Sequence, residues 1–211
     1  MESEFERLDP RVDRTRVAVL HAVRELLNED GWDAVTHARV AERSGAGRTT
    51  VYRHWPERID LVREAFEFEF GVTRGPEPVG ELRTDLIAAL EAIRFELVDR
   101  DGRQMLIATI ARAEFDDQVR HMKKVLLDNA LQTLRKILAN AIAAKEFVPS
   151  VEVEKAVAAL VGPMIMQLLV TDSEVGPERT LELVDSFLIA HTRYAVETRR
   201  ERDTGSPDNS V

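Results

Sequence analysis

The sequence predicts an all-α protein of about nine helices, with a small three-helix N-terminal head and a larger helical-bundle body. Apolar residues recur mostly three, four and seven positions apart, as on one face of a helix, and few stretches alternate as a strand does. Glycine and proline interrupt this pattern where helices would end. Hydrophobic residues make up 44% of the 211 residues, which is enough for a packed core.

Four helices are predicted in the N-terminal part of the chain. The first runs from about Arg14 to Asp30 and ends before a glycine, a common helix stop. Two short helices follow, at His37–Ser44 and Arg48–Trp55, separated by a glycine-containing turn. Pro56 is expected to open the fourth helix, because proline is favoured at the first helical position.

A stretch of three glycines and two prolines, GVTRGPEPVG at 71–80, is the best candidate linker between a small head and a larger body. Five helices are predicted beyond it. The second of them, 104–113, is apolar almost all round and is expected to be buried, and the third is expected to run unbroken from Asp116 to Ala144. The fourth is capped by Ser150 and the fifth starts at Pro177. We assign the head to 1–60, the body to 61–202 and a disordered tail to 203–211.

Charge is unevenly distributed along the chain. Between residues 36 and 58, five arginines face two glutamates, a local net charge of +3, whereas the whole chain carries −9. A basic island in an acidic protein fits a confined phosphate-binding surface. A solvated, charged helix face would give the same charge, so this alternative stays open.

Composition also limits the chemistry and the compartment. The chain has no cysteine, which excludes disulfides, thiolate zinc sites and iron–sulfur clusters and suits a cytoplasmic protein. Its five histidines lack metal-ligand spacing, so no metal or cofactor is expected. We see no signal peptide and no apolar run near the roughly 20 residues that span a bilayer, so no membrane association is expected.

The segment from Val35 to Val62 carries the clearest motif. Thr36 is a good N-cap for the first short helix, and Gly45 stands where the chain must reverse sharply. Val51 and Trp55, four residues apart, form the inner ridge of the second short helix. The remaining side chains, Thr49, Thr50, Tyr52 and Arg53, are left on its outer surface. Two short helices joined by such a turn describe a helix-turn-helix, whose second helix enters the major groove of DNA, although a helical hairpin with an ordinary polar face has the same pattern.

The same run resembles the N-terminal domain of the tetracycline-repressor-like (TetR) family. Its turn and recognition helix read SGAGRTTVYRHW from Ser44, followed by Pro56 and Arg58, against a family pattern of roughly A-G-V-S-x-G-T-L-Y-x-H-F, proline and lysine. Apart from conservative replacements, two positions depart from this pattern: Gly47 replaces a usual serine cap and Thr49 a usual glycine.

This resemblance implies roles for individual residues in DNA binding. It implies phosphate contacts by Thr36, Tyr52, His54 and Arg58, and base contacts by Arg48, Thr49 and Arg53. Arg39, on the outer face of the first short helix, and Thr50, on the outer surface of the second, complete the predicted set. The alternative for Tyr52 and His54 is simple packing on the first helix.

For the body, the resemblance implies dimerisation through the last two helices and an effector pocket among the middle ones. Tentative interface residues are Ile165, Leu169, Leu181 and Leu188, and tentative pocket residues are Met105, Phe115, Met122, Met164 and Gln167. The implied function is a repressor that binds a palindromic double-stranded operator as a homodimer and is released by a small apolar effector.

Two other kinds of function stay open at this point. A regulator that responds to no ligand, or a small-molecule-binding helical protein without DNA function, would share much of this pattern. An enzyme is not expected. The GAGRTT run differs from a phosphate-binding loop at Glu42, where glycine is needed, and at Arg48, where lysine is needed.

Overall fold

The computed structural model describes residues 10–70, 77–148, 151–171 and 173–204, with the side chains of 10–13 and 192–204 excepted. The described residues form ten α-helices and no strand, so the predicted all-α class is confirmed with one helix more than expected. The helices are α1 (Pro10–Asp30), α2 (His37–Ser44), α3 (Arg48–His54), α4 (Arg58–Phe70), α5 (Leu82–Val98), α6 (Arg100–Ala113), α7 (Asp117–Ala130), α8 (Gln132–Ala143), α9 (Val153–Ile165) and α10 (Pro177–Thr204). A 3₁₀ turn at Trp32–Ala34 follows α1, and a π-helical turn at Met166–Val170 continues α9.

The extra helix arises because the long helix predicted from Asp116 to Ala144 is broken at Leu131, which has φ −92° and ψ −2°. Arg135 donates to the carbonyl oxygen of Asp128 at 2.9 Å and to its carboxylate at 3.1 Å. That carbonyl would accept from residue 132 in an unbroken helix. Arg135 therefore caps the end of α7. The spacing of apolar residues continues through the break, so the sequence pattern alone does not reveal it.

Two other predicted helix starts were wrong. Helix α4 begins at Arg58 and not at Pro56. The residue before a proline is disfavoured from helical geometry, and Trp55, before Pro56, has φ −132° and ψ 85°. Pro56 and Glu57 therefore form a bend, and the helix starts after them. Helix α9 starts at Val153, and its N-cap residue is Glu152, which makes no side-chain cap hydrogen bond. The predicted cap, Ser150, lies outside the described residues.

The expectation of a fully buried helix over 104–113 was also wrong. Helix α6 buries Met105, Thr109 and Ala113, but Ile107 and Ile110 are 43% and 38% exposed. Only one face of α6 is therefore buried, and its exposed face also carries two apolar side chains.

Contacts divide the described chain into two compact units. The first combines residues up to 72 with 99–127, and the second combines 73–98 with the residues from 128 onward. The predicted boundary at residue 60 falls inside α4, and most of the stretch 71–80 and of the tail 203–211 lies outside the described residues. The division into a DNA-binding head of 1–60 and a body of 61–202 stays a prediction.

In the first unit, α1 packs against α2, α4 and α6. Its core combines side chains from the head with side chains from α6 and α7: Val19, Val23, Leu26, Leu27, Val40, Val51, Leu61, Val62, Met105, Val119 and Met122. Burying a side chain of this kind contributes about 1.5–3 kcal/mol each, so this cluster fixes how α2 and α3 are held.

In the second unit, α5 packs against α8 and α10, and α9 packs against α8 and α10. A hydrogen-bond network connects α5 to the start of α10. Arg94 donates to Glu91 at 2.8 Å and to the carbonyl of Val175 at 3.0 Å, and the buried Thr180 donates to Glu91 at 2.8 Å. The Arg94 guanidinium holds the pKa of Glu91 below its ordinary value, and the Thr180 hydroxyl adds to this effect.

Candidate DNA-binding surface

Helix α2 begins and ends with the residues that the sequence singled out. Thr36 is extended at φ −115°, and its hydroxyl oxygen accepts from the backbone N–H of Arg39 at 3.3 Å. Gly45 adopts the left-handed conformation at φ 71° and ends the helix. The cap sets where α2 starts and the glycine turns the chain into α3, so the two short helices form the predicted helix-turn-helix.

Helix α3 has one inner and one outer face, as the sequence predicted. Val51 is fully buried and Trp55, its C-cap, is 4% exposed. The outer face carries the exposed residues Arg48, Thr49, Tyr52, Arg53 and His54, with Thr50 half-buried. Because this helix has only seven residues, its position depends on packing and not on its own propensity.

The arginines of the basic island differ in their surroundings. Arg39 pairs with Asp30 at 2.5 Å, and Arg43 pairs with Glu29 at 2.9 Å and Glu25 at 3.2 Å. Hydrogen bonds to these glutamates, Glu29 first, raise the pKa of Arg43 above its ordinary value. All three carboxylates belong to the end of α1, so α2 presents a largely neutralised face.

Arg48 and Arg53 on α3 are different. Neither has an ion pair with a carboxylate anywhere in the described part of the chain; Arg53 instead lies 3.4 Å from a ring nitrogen of His54. Within the motif, α3 therefore carries the cations that are not already compensated. This is the arrangement expected of a helix that meets a polyanion.

Arg58 lies in a more enclosed place than the sequence implied. Its guanidinium sits over the ring of Trp32 at 5.7 Å and 3.9 Å from Asp33, whose carboxylate also pairs with Arg112 at 3.3 Å. Arg58 also lines a cleft of about 180 Å³ with Trp32 and Val119. A phosphate would have to compete with Asp33 for this arginine.

Sequence reasoning missed His37, the first residue of α2. Its ring is buried and stacks on Tyr52 with centroids 4.1 Å apart and an interplanar angle of 6°. Its Nε2 lies 2.6 Å from the carbonyl oxygen of Trp55. Glu64 of α4, also missed, accepts from the indole Nε1 of Trp55 at 2.8 Å and pairs with Arg16. The alternative that Tyr52 simply packs on α1 does not describe this residue, because its ring stacks on His37 of α2 and it is 54% exposed.

The tentative pocket residues of the body are dispersed. Met105 and Met122 belong to the core of the first unit, and Phe115 is 89% exposed at the turn after α6. Met164 is buried in the second unit, and the side-chain oxygen of Gln167 accepts from Arg179 at 3.0 Å. The two clefts that stand out, of about 180 and 480 Å³, are lined by none of these five residues.

The tentative interface residues lie on helices with an uncovered apolar face. Leu181 is exposed, and Ile165, Leu169 and Leu188 are half-buried. Beside them, Met166, Val170 and Ile189 are 51%, 67% and 53% exposed. Residues 153–170 also form an 18-residue window that is long and apolar enough to cross a membrane by length and composition, and only 33% of it is buried. The expectation that no apolar run comes near that length was therefore wrong, although one such helix is weak evidence for a membrane span.

Two family models match the chain. Residues 19–65 match the one described as bacterial regulatory proteins of the tetR family, and residues 76–187 match the one described as Tetracyclin repressor-like, C-terminal domain. The second match alone spans more than half of the 211 residues. The chain belongs to the TetR family.

Individual TetR-family relatives agree with this placement. The HTH-type transcriptional regulator YdeS of Bacillus subtilis is 26% identical over 178 residues, which cover 83% of this chain and 88% of YdeS. The DNA-binding transcriptional repressor TetR of Mycobacteroides abscessus is 35% identical over 82 residues, 38% of this chain and 43% of the repressor. The crystal structure of the TetR family transcription regulator SCO0332 is 29% identical, with a TM-score of 0.63, and the match covers 83% of this chain and 97% of SCO0332. This TetR-family protein is a helix-turn-helix transcriptional regulator.

Proposed function

We propose that this TetR-family regulator is a repressor that binds a near-palindromic operator as a homodimer, with α3 in the major groove. The observation that carries the proposal is the exposed outer face of α3, where Arg48 and Arg53 have no carboxylate partner in the described residues while Val51 anchors the opposite face. The name of the M. abscessus relative supports the repressor role. Since a bacterial operator lies on cytoplasmic DNA, a cytoplasmic location is part of this proposal.

The predicted contacts divide into two groups on this surface. Arg48, Thr49 and Arg53 are proposed to reach base edges, because side chains of an exposed recognition helix can enter the groove. Tyr52, His54 and Thr36 are proposed to contact phosphates, which orient the helix without reading sequence. Arg39 and Arg58 are proposed as weaker phosphate contacts, because each already has a carboxylate partner.

The experiment is selection of binding sites from a randomised duplex library. The wild-type protein is expected to enrich a near-palindrome with half-sites about 34–36 Å or a multiple apart. Arg48→Ala and Arg53→Ala are each expected to lose discrimination at particular base pairs by about 1–3 kcal/mol. Arg63→Ala, which removes the same charge from α4, is the matched control and should select the wild-type site. Unchanged selectivity in both α3 variants would exclude their role in base reading.

We also propose that a small, largely apolar molecule binds in the body and lowers operator affinity. Support for a small-molecule ligand comes from the family itself and from a solved neighbour of similar fold, a transcriptional regulator of Saccharomonospora viridis in complex with the cation choline, at a TM-score of 0.58 and 15% identity. The apolar character is proposed from the abundance of apolar residues, including flexible methionines, in 82–170. A tenfold to hundredfold loss of affinity needs a coupling free energy of about 1.4–2.8 kcal/mol.

Reciprocity supplies the test of the effector. Candidate metabolites are titrated into the protein with and without the selected duplex, and a true effector must bind more weakly, by the same factor, when DNA is bound. A screen in which no compound shifts the thermal unfolding of the protein would favour the alternative, a regulator that acts without a ligand.

A further inference from the structure

His37 occupies a position that links three parts of the helix-turn-helix. It is the first residue of α2, its ring lies flat against Tyr52 of α3 at 4.1 Å, and its Nε2 is 2.6 Å from the carbonyl oxygen of Trp55. A carbonyl oxygen only accepts hydrogen bonds, so Nε2 carries the proton in this contact. The His37 ring is buried, whereas Tyr52, which stacks on it, is 54% exposed.

The bond to Trp55 acts at the end of α3. The last carbonyls of a helix lack partners within it, and an unpaired buried carbonyl is costly. His37 supplies a donor to the carbonyl of the C-cap residue, while Glu64 holds the indole of the same residue at 2.8 Å. Trp55 is therefore fastened from α2 through its backbone and from α4 through its side chain.

The stacking contact acts on Tyr52. An exposed tyrosine samples several rotamers in solution, and ordering it on binding has an entropic cost. Because His37 covers one face of its ring, Tyr52 is held in one orientation before DNA arrives.

We propose that His37 is a positioning residue for DNA binding, which holds Tyr52 and the C-terminal end of α3 in the arrangement that meets a backbone phosphate. This inference rests on the proposed function. His37 acts only through Tyr52 and α3 and is not itself a contact to DNA.

A double-mutant cycle tests this role on a duplex selected by the wild-type protein. His37→Gln keeps an amide N–H near the position of Nε2 but removes the stacking ring. We expect it to weaken binding by about two- to tenfold when Tyr52 is present, as for the loss of an aromatic pair, and to have no effect in a Tyr52→Ala background. The loss should be equal on specific and random duplexes, because phosphate contacts do not read sequence. His21→Gln, which removes a ring in edge contact with Phe68 on the same unit, is the control and should be additive with Tyr52→Ala.

A second readout follows the phosphate directly. In ethylation interference, His37→Gln and Tyr52→Phe should each lose the interference signal at the same single phosphate, while the signals at all other phosphates stay unchanged. His37→Phe keeps the stacking ring and loses only the donor to the Trp55 carbonyl, so it should retain that phosphate if stacking is what orients Tyr52.

An additive cycle, or an unchanged phosphate pattern in His37→Gln, would overturn the role of His37 and leave the proposed function intact. A His37→Phe variant that lacks the phosphate although its free energy of unfolding equals that of the wild type would overturn it in the same way. A wild-type protein that enriches no duplex would overturn the proposed function and this inference with it.

Discussion

Two glycines flank the turn between α2 and α3, and they have different conformational needs. Gly45 has φ 71°, a left-handed conformation that side chains rarely adopt, whereas Gly47 has φ −65° and ψ 134°, which any residue can adopt. A Cβ atom at Gly45 would meet no atom within 4 Å, so only backbone strain opposes a side chain there. A Cβ at Gly47 would lie 3.6 Å from the Thr50 hydroxyl, an ordinary contact.

These conformations give opposite expectations for substitution. Gly45→Ala should lower the free energy of unfolding by about 1–2 kcal/mol through the cost of the left-handed conformation. Gly47→Ser should leave it unchanged or raise it by a few tenths of a kcal/mol, because Gly47 is an N-cap without a side-chain bond. Urea unfolding of both variants measures the difference. Equal destabilisation by both would contradict a specific cost of the left-handed conformation at Gly45.

Individual residues show how far sequence reasoning extends. Thr36, Gly45 and Val51 were predicted because a cap, a left-handed turn and an inner ridge are local features that neighbouring residues reveal. His37 was missed because its partners, Tyr52 and Trp55, lie 15 and 18 positions further along the chain. No signal in one sequence distinguishes a histidine that stacks under a tyrosine from one that faces solvent.

At the scale of elements, the carboxylates at the end of α1 compete with DNA for the arginines of α2. Asp30→Asn would release Arg39, which pairs with it at 2.5 Å. We expect tighter binding to random duplex and a salt dependence steeper by about 0.9 in log K against log salt, the value for one more neutralised phosphate.

The matched control for this change is one residue away. Glu29→Gln removes the same charge, but Arg43 keeps Glu25 as a partner at 3.2 Å. Its salt dependence should therefore stay near that of the wild type. Equal slopes in the two variants would attribute the effect to net charge and not to the release of Arg39.

The network between α5 and α10 should make stability depend on acidity. The pKa of Glu91 is lowered in the folded protein, so its contribution is fully present above the ordinary glutamate pKa of about 4.3 and is lost as the pH falls through the lower folded value. Glu91→Gln should cost about 1 kcal/mol in the free energy of unfolding at pH 7, and the difference from wild type should shrink in acid. Glu154→Gln, exposed on α9, is the control in urea unfolding series across pH. A difference that persists in acid would exclude an ionic origin.

Elements also show why the predicted helix boundaries failed where they did. The break at Leu131 depends on Arg135 reaching back to Asp128, and the late start of α4 depends on how Trp55 is held before Pro56. Both are side-chain or tertiary effects superimposed on an apolar period that continues without interruption. Periodicity predicts where a face is buried and does not predict where the backbone stops being helical.

At the scale of the whole molecule, the exposed apolar face of α9 and α10 is the predicted dimer interface. Met166→Glu, at a residue that is 51% exposed, should place a charge in that interface. We expect monomers in sedimentation equilibrium at micromolar concentration and at least a tenfold loss of operator affinity, because one head makes half of the contacts.

Ile107→Glu is the control for the dimer prediction, since Ile107 is similarly exposed, at 43%, but lies on α6 in the other compact unit. It should remain dimeric and bind operator normally. A dimer that survives Met166→Glu and also a charge at Leu181 would place the interface elsewhere.

The two compact units are each assembled from separate stretches of chain, because residues 99–127 complete the core that residues up to 72 begin. During synthesis the recognition helix leaves the ribosome long before Met105, Val119 and Met122, which help to close the core behind it. The core behind the recognition helix can therefore be completed only after α7 has been synthesised. For the same reason a transplanted fragment that ends at residue 72 would lack part of its own interior, and chimeric regulators built from this protein must exchange 99–127 together with the head.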